Sequence, residues 1–152
     1  MKKFHTLQRG FTLIELLIVI AVISILGAVA FVAIDPATRI NEAQDSERWS
    51  AVNALMDAFL NSTVDNDGTY PAGVAADGTV HMISSSNAAC TSCSADQCTD
   101  FDDLVTDGYI AELPTDPDGS SEGTGYTLSV AANGIVSVTS CGAETDTVEV
   151  AR

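Results

Sequence analysis

Basic residues are scarce in this chain. Its 152 residues include 6 Lys and Arg against 21 Asp and Glu, a formal net charge of −15. Non-specific nucleic-acid binding needs Lys and Arg to neutralise phosphates, so this balance argues against that class of protein. We expect no nucleic-acid partner, and we interpret the carboxylates as a solvated exterior.

Residues suited to catalysis are also few. The two histidines, His5 and His81, are isolated, no Ser/His/Asp arrangement stands out, and there is no phosphate-binding Gly-rich loop. Short Asp-rich stretches occur, but solvated carboxylates explain them best. We therefore predict no catalytic residue, no cofactor and no metal site. The Asp-rich stretches are Asp100/Asp102/Asp103 and Asp116/Asp118.

Cysteine is missing from the first 89 residues. A redox C-x-x-C motif would need a βαβ context, and a zinc site would need a second nearby pair. Two structural disulfides in an exported, oxidised domain fit better. Three pairings are possible, and we favour one bond inside 90–98 and one to the last cysteine. The four cysteines are Cys90, Cys93, Cys98 and Cys141.

Charge is missing from the 19 residues between Leu16 and Ile34. As a helix, residues 11–34 would span about 36 Å, enough to cross a bilayer. A plain signal peptide or signal anchor would explain such a run, but it would not explain the carboxylate of Glu15 at the start of the run. The sequence Ala33-Ile34-Asp35 is also a poor small-residue cleavage site.

A short basic head precedes the apolar run. Lys2, Lys3 and Arg9 supply its charge, and Gly10 is followed by the sequence Phe-Thr-Leu-Ile-Glu-Leu, residues 11–16. This pattern resembles the class III signal sequence of type IV pilins and the related pseudopilins. The likeness is ungapped over about 30 residues. It implies three regions: a cleaved leader, 1–10; an apolar membrane and assembly helix, 11–35; and a globular pilin-like domain, 36–152.

The resemblance implies two functional sites. A prepilin peptidase would cut between Gly10 and Phe11 on the cytoplasmic side, and would methylate the new amine of Phe11. Glu15 would then pair with the Phe11 amine of a neighbouring subunit and set the register between subunits. A second role is open for Glu15, because a carboxylate in the first turn complements the helix macrodipole. That effect contributes only about 0.3–1 kcal/mol, so both roles can operate.

The remaining chain predicts an α+β fold. Asp35-Pro36 favours a helix restart or kink, and apolar residues at spacings of three and four then predict a helix from Pro36 to about Asn61. Its stripe of Trp49, Val52, Met56 and Phe59 would pack on a small antiparallel sheet, whereas neighbours such as Asp45 and Arg48 would face solvent.

Strand signals lie mostly in the C-terminal third. Alternation over residues 126–130, Asn133-Gly134 and residues 135–139 predict a hairpin. Further strands are expected at 79–84 and 146–150. A short helix over 100–107, capped by Thr99, should end at Gly108. The segment 109–117 resembles the "YL…LPxDP" segment of major pseudopilins and related pilins, but their calcium-loop pattern is missing after the hairpin.

The function implied by the resemblance is structural: a type IV pilus subunit that polymerises with its own copies through the apolar helix. Alternatives are a pseudopilin of a type II secretion or DNA-uptake system, or a minor pilin or adhesin with a binding role. The implied partners are the prepilin peptidase, an inner-membrane assembly platform and, indirectly, an assembly ATPase. The chain would cross the inner membrane once before assembly and lie in a surface filament afterwards.

Overall fold

The computed structural model describes residues 10–85, 93–118 and 123–152. The expected leader up to Arg9 and the expected disulfide partner Cys90 lie outside these residues. The chain divides into two compact units, Met1–Arg39 and Ile40–Arg152. The expected α+β class is confirmed: a long N-terminal helical stretch is followed by a five-stranded sheet.

The first unit contains helix α1, Leu13–Ile34. Its residues are apolar on every side, and by length and composition the segment could cross a membrane. α1 ends because Asp35 adopts a left-handed conformation, with φ 42° and ψ 74°. Helix α2, Pro36–Asp65, begins at the next residue, where proline's missing N–H is tolerated. The expected restart at Asp35-Pro36 is therefore confirmed.

In the second unit α2 buries one face against the sheet, and that face contains three of the four residues of the expected stripe, Val52, Met56 and Phe59. Trp49 is 41% exposed and Ile40 is 59% exposed, so neither belongs to the core. Asp45 and Arg48 were expected in solvent but are buried. The apolar residues that α2 does bury are Ala51, Val52, Leu55, Met56, Ala58 and Phe59.

The sheet has the strand order β2-β1-β3-β4-β5. Its strands are β1 Val80–Ser84, β2 Gln97–Asp100, β3 Tyr126–Val130, β4 Val136–Ser140 and β5 Glu149–Ala151. The expectation of an antiparallel sheet needs correction, because β1 and β2 pair in parallel while the other three pairs are antiparallel. β2 was not anticipated. β2 includes Thr99, which was expected to cap a helix over 100–107. The short helix α3 therefore spans only Asp102–Thr106 and has no side-chain cap.

The expected hairpin between β3 and β4 is present. Gly134 has φ +84° in its turn, and the register places Leu128 opposite Val138. A single turn of 3-10 helix, Pro71–Gly73, follows α2. The core lies between α2 and the sheet. Apart from the α2 residues, its buried members include Ile83, Phe101, Leu104, Tyr126, Leu128, Val130, Val136, Val138 and Val148.

Candidate functional site

A reciprocal capping box fixes the first turn of α1. The Glu15 backbone N–H donates to the Thr12 hydroxyl oxygen at 3.4 Å, and the Thr12 backbone N–H donates to Glu15 Oε2 at 2.8 Å. The Thr12 hydroxyl also donates to that oxygen at 2.8 Å. Each side chain satisfies a backbone donor that the helix start leaves unpaired. The sequence allowed two roles for Glu15, one at the helix start and one in pairing with another chain. The structure shows the helix-start role.

The Gly10–Phe11 peptide bond precedes this capped turn. Phe11 is 84% exposed, and a Cβ built on Gly10 would meet nothing within 4 Å. The glycine is therefore not required by packing against the described residues. Its small size leaves the backbone open to close approach from one side.

The whole of α1 is exposed. None of its 22 residues is buried, and most are large and apolar. Its one serine, Ser24, donates its hydroxyl to the Ile20 carbonyl at 2.7 Å, so that polar group is satisfied inside the helix. Soluble proteins rarely expose an apolar surface of this length, which normally marks a membrane or protein contact.

The expected disulfide bonding is present in the second unit. Cys93 and Cys141 form a disulfide, with their Cα atoms 5.6 Å apart. Cys98 is also disulfide-bonded. Because Cys93 precedes β2 and Cys141 follows β4, their bond joins two connections that lie 48 residues apart in the sequence.

A buried ion cluster lies beside Cys141, and we call it the Arg48 cluster: Arg48 with Asp45, Asp116 and Asp118. The Arg48 side chain has no exposed surface. It contacts Asp45 at 2.9 Å, Asp116 at 2.8 and 2.9 Å, and the half-exposed Asp118 at 3.0 Å. Only a guanidinium has enough donors in a planar fork to serve three carboxylates at once.

The pKa shifts of Asp45, Asp116 and Arg48 all favour the charged forms of these side chains. A hydrogen bond from the Thr145 hydroxyl, followed by Arg48, holds the pKa of the Asp45 carboxyl well below its usual range. Burial tends to raise the pKa of Asp116, but hydrogen bonds from Arg48 outweigh it, so that pKa is lowered. Asp116 and then Asp45 raise the pKa of Arg48 above its usual value.

Two comparisons with known proteins found a likeness. A family model described as the prokaryotic N-terminal methylation motif matches residues 6–31, which include Gly10, Phe11 and Glu15. The type IV major pilin protein PilE of Neisseria gonorrhoeae is 40% identical to this chain over 80 residues. Both matches support the type IV pilin family.

The pilin resemblance is partial in length. The aligned stretch is 50% of this chain and 47% of the Neisseria pilin, so it spans about half of that relative. No solved structure matches the chain significantly. The pilin match and the exposed apolar helix fit a subunit that is anchored in a membrane and belongs to a surface pilus.

Among residues 10–85, 93–118 and 123–152, no group of three or more His, Cys, Asp or Glu could hold a metal ion. His81 is buried and its Nδ1 lies 2.8 Å from the Thr99 hydroxyl, while its Nε2 meets no hydrogen-bond partner in the described part of the chain. Burial lowers the pKa of His81, against the opposing charges of Asp77 and Asp96.

Sequence reasoning missed the Arg48 cluster. Arg48 and Asp45 stand among polar residues of α2, and a helical pattern alone places them in solvent. A signal was available in the segment 109–117, whose likeness to pilins and pseudopilins includes Asp116. A second signal was the ratio of charges: three basic residues lie beyond Arg9 against 21 acidic residues, so an arginine within α2 has many carboxylates available as partners.

Proposed function

We propose that the chain is the structural subunit of a type IV pilus, which polymerises through α1 after a prepilin peptidase removes residues 1–10. The observation that carries this proposal is the complete exposure of α1, which is apolar on all sides and begins with the capping box of Thr12 and Glu15. Such a helix needs a partner that covers its entire circumference. A lipid bilayer supplies one cover, and a bundle of identical helices supplies another.

Processing starts the sequence of events. The peptidase reaches the open backbone at Gly10, cuts the bond to Phe11 and methylates the amine that this releases. Glu15 lies one helical turn from the new amine. Inside the filament, the amine of one subunit pairs with Glu15 of a neighbour, because an unpaired charge in a dry core is costly.

Burial of α1 drives assembly. Full burial of a Leu, Ile, Val or Phe side chain contributes about 1.5–3 kcal/mol relative to exposure in water. α1 contributes more than a dozen such side chains, so a filament held by these helices resists dissolution. Extraction of the helix from lipid requires work, which an assembly ATPase supplies through the inner-membrane platform.

The acidic domain forms the outer surface of the filament. Without residues 1–10, three basic and 21 acidic residues remain, a formal charge of −18. Arg48 is buried, so few cations offset the surface carboxylates. Repulsion between neighbouring domains is screened beyond about 8 Å at physiological ionic strength, which permits close packing.

Mass spectrometry of sheared surface filaments tests the proposal. The expected result is that the main filament protein is this chain, that its mass starts at Phe11 and that it carries one additional methyl group. A chain that still contains residues 1–10, or one cut after Ala33, would overturn it. A correctly cut chain found only as a trace component would favour a minor pilin or adhesin. A short periplasmic fibre required for secretion or DNA uptake would favour a pseudopilin.

A further inference from the structure

The disulfide between Cys93 and Cys141 is not the bond that an unfolded chain would form most readily, because closer cysteines are available to Cys93. Cys93 lies within five residues of Cys90 and Cys98, whereas 48 residues separate it from Cys141. Loop-closure entropy alone favours a local bond over the 48-residue loop by roughly 30-fold. The native pairing therefore requires tertiary contacts that hold Cys141 beside Cys93, whether the bond forms directly or by exchange from another pair.

Contacts of this kind hold both neighbours of Cys141 against Asp116. The Ser140 hydroxyl donates to Asp116 Oδ2 at 3.2 Å. A Cβ on Gly142 would fall 2.8 and 2.9 Å from the Asp116 carboxylate oxygens and 3.1 Å from Arg48 Nη2. Glycine at 142 thus lets the backbone lie directly on the Arg48–Asp116 pair.

We call residues 141–145 the C-terminal turn. Its last two residues are held by Asp45, a second carboxylate of the Arg48 cluster. The backbone N–H groups of Glu144 and Thr145 donate to the Asp45 carboxylate at 3.2 and 2.9 Å. The Thr145 hydroxyl also donates to Asp45. Asp45 lies three residues before Arg48 on α2, so one helix face and one arginine orient the whole turn.

We infer that the Arg48 cluster directs disulfide pairing by seating the C-terminal turn on α2, which presents Cys141 to Cys93. Arg48 is in this sense a positioning residue, because it acts on the cysteines through Asp116 and Asp45 and contacts neither sulfur in its hydrogen bonds. The inference concerns the folding of the exported domain and stands apart from its proposed role in a filament.

The covalent step needs an oxidant. The thiols of Cys93 and Cys141 lose two protons and two electrons as their sulfur atoms join. A disulfide-containing oxidant accepts the electrons and protons and becomes two thiols. The Arg48 cluster takes no part in electron transfer, and it selects only which thiols are close enough to react.

Oxidative refolding of the full chain in detergent micelles tests this inference. The protein is reduced, denatured and refolded with a mixture of oxidised and reduced glutathione, and free thiols are then blocked. A protease that cuts before aspartate separates Cys98 from Cys93 at Asp96. Tandem mass spectrometry of the unreduced peptides then distinguishes Cys90 from Cys93 and measures the fraction of Cys93–Cys141.

The variants separate positioning from general stability. Arg48→Met removes the guanidinium while an unbranched apolar side chain remains. Leu55→Ala or Val52→Ala, whichever gives the closer match in Tm, destabilises α2 packing without a change in the cluster. The milder Thr145→Val removes one donor to Asp45 and keeps the side-chain shape.

We expect nearly complete native pairing in the parent chain and in the Tm-matched core variant. Arg48→Met should reduce the native fraction to about one-third or below, the share for three equally frequent pairings. Thr145→Val should slow formation of Cys93–Cys141 at least two-fold and leave the folded chain intact. Native pairing at the parental rate in both cluster variants would overturn the inference. Equal mispairing in the core variant would also overturn it, because general instability would then be the cause.

Discussion

Arg48 and Asp116 lie 68 residues apart in the sequence and meet at two points: Nε to Oδ2 at 2.8 Å and Nη2 to Oδ1 at 2.9 Å. Both side chains are buried. Two parallel charge-assisted hydrogen bonds fix orientation as well as distance. The pair therefore ties α2 to the segment before β3 and to the end of β4, where the Ser140 hydroxyl donates to the same carboxylate.

Asp116→Asn should be strongly destabilising. It leaves Arg48 buried without its main counter-charge, and breaking a buried pair in this way typically costs about 3–5 kcal/mol. Asp57→Asn is the matched control, because Asp57 pairs with Arg152 at the exposed surface, where such a pair contributes about 0–1 kcal/mol. Urea unfolding of the full chain in detergent, followed through Trp49 fluorescence, measures both. Equal effects of the two substitutions would show that the buried pair contributes no more than the exposed one.

Gly125→Ala should destabilise more than Gly134→Ala. Both glycines have left-handed backbones, with φ +82° and +84°, so alanine costs about 1–2 kcal/mol at either position. Only at Gly125 does the new Cβ clash, at 2.6 Å from the Asp116 Cβ. Overpacking of this kind adds about 1–3 kcal/mol. The two midpoints of urea unfolding give the comparison, and a Gly134 variant as unstable as the Gly125 variant would contradict it.

Replacement of both Cys93 and Cys141 by serine should cost about 4 kcal/mol of unfolding free energy. The bond closes a loop of 48 residues, and cross-links of that span restrict the unfolded chain by about this amount in the loop-entropy model. The double substitution avoids an odd thiol. The measurement is the midpoint of urea unfolding against the parent, under oxidising conditions. A change below about 1 kcal/mol would show that the bond adds little beyond the Arg48 cluster.

His81 should make the fold sensitive to mild acid. Burial lowers its pKa, and Asp77 and Asp96 are the charged groups that act on it, while Leu128 faces it from β3. The unfolded chain therefore binds a proton more readily than the folded chain near the ordinary histidine pKa of about 6.5. Stability is accordingly full above that pH and falls as pH drops below it.

His81→Gln should remove this dependence, because glutamine does not titrate and can still bond Thr99. The test compares Tm between pH 7.5 and 5.5 for the variant and the processed parent, in which His81 would be the remaining histidine. The Asp45 and Asp116 carboxyls, with lowered pKa values, stay ionised in this window. Parallel pH profiles for the two proteins would refute the assignment to His81.

Substitutions at Glu15 should separate helix capping from charge pairing. Glu15→Gln preserves the capping box, which accepts Glu or Gln at this position, but removes the charge. Glu15→Val removes both and suits lipid better. If the charge pairs with a neighbouring amine, both variants should be inserted in the membrane and cut at Gly10, yet yield at least ten-fold fewer filaments.

Thr12→Val is the control for this comparison, since it removes the capping hydroxyl and leaves the carboxylate charge. We expect it to assemble nearly as well as the parent, because one helix cap contributes only about 1 kcal/mol. Filament yield from sheared cells and intact mass from membranes are the two readouts. Normal yield from both Glu15 variants would rule out the pairing mechanism and leave Glu15 as a helix-start residue.

Local patterns were sufficient for the N-terminal stretch and for the hairpin. An uncharged run long enough to cross a bilayer predicts α1 without tertiary contacts, and Asp35-Pro36 marks where it ends. Alternation on both sides of Asn133-Gly134 predicts β3 and β4 because the turn fixes their pairing. The same reasoning failed for β2, whose four residues lie after a cysteine-rich connector and are recruited by β1 in parallel.

The sequence by itself determined which segment must leave water, because that depends only on the number and order of apolar residues in α1. Tertiary structure alone decided that Asp45 and Arg48 are buried while Trp49 is not, and which cysteine Cys93 joins. A helical pattern assigns Arg48 to solvent, since an isolated charge is too costly to bury. That cost is offset by Asp45 on the same helix and by Asp116 and Asp118, which the fold brings to Arg48 from about 70 residues further along the chain.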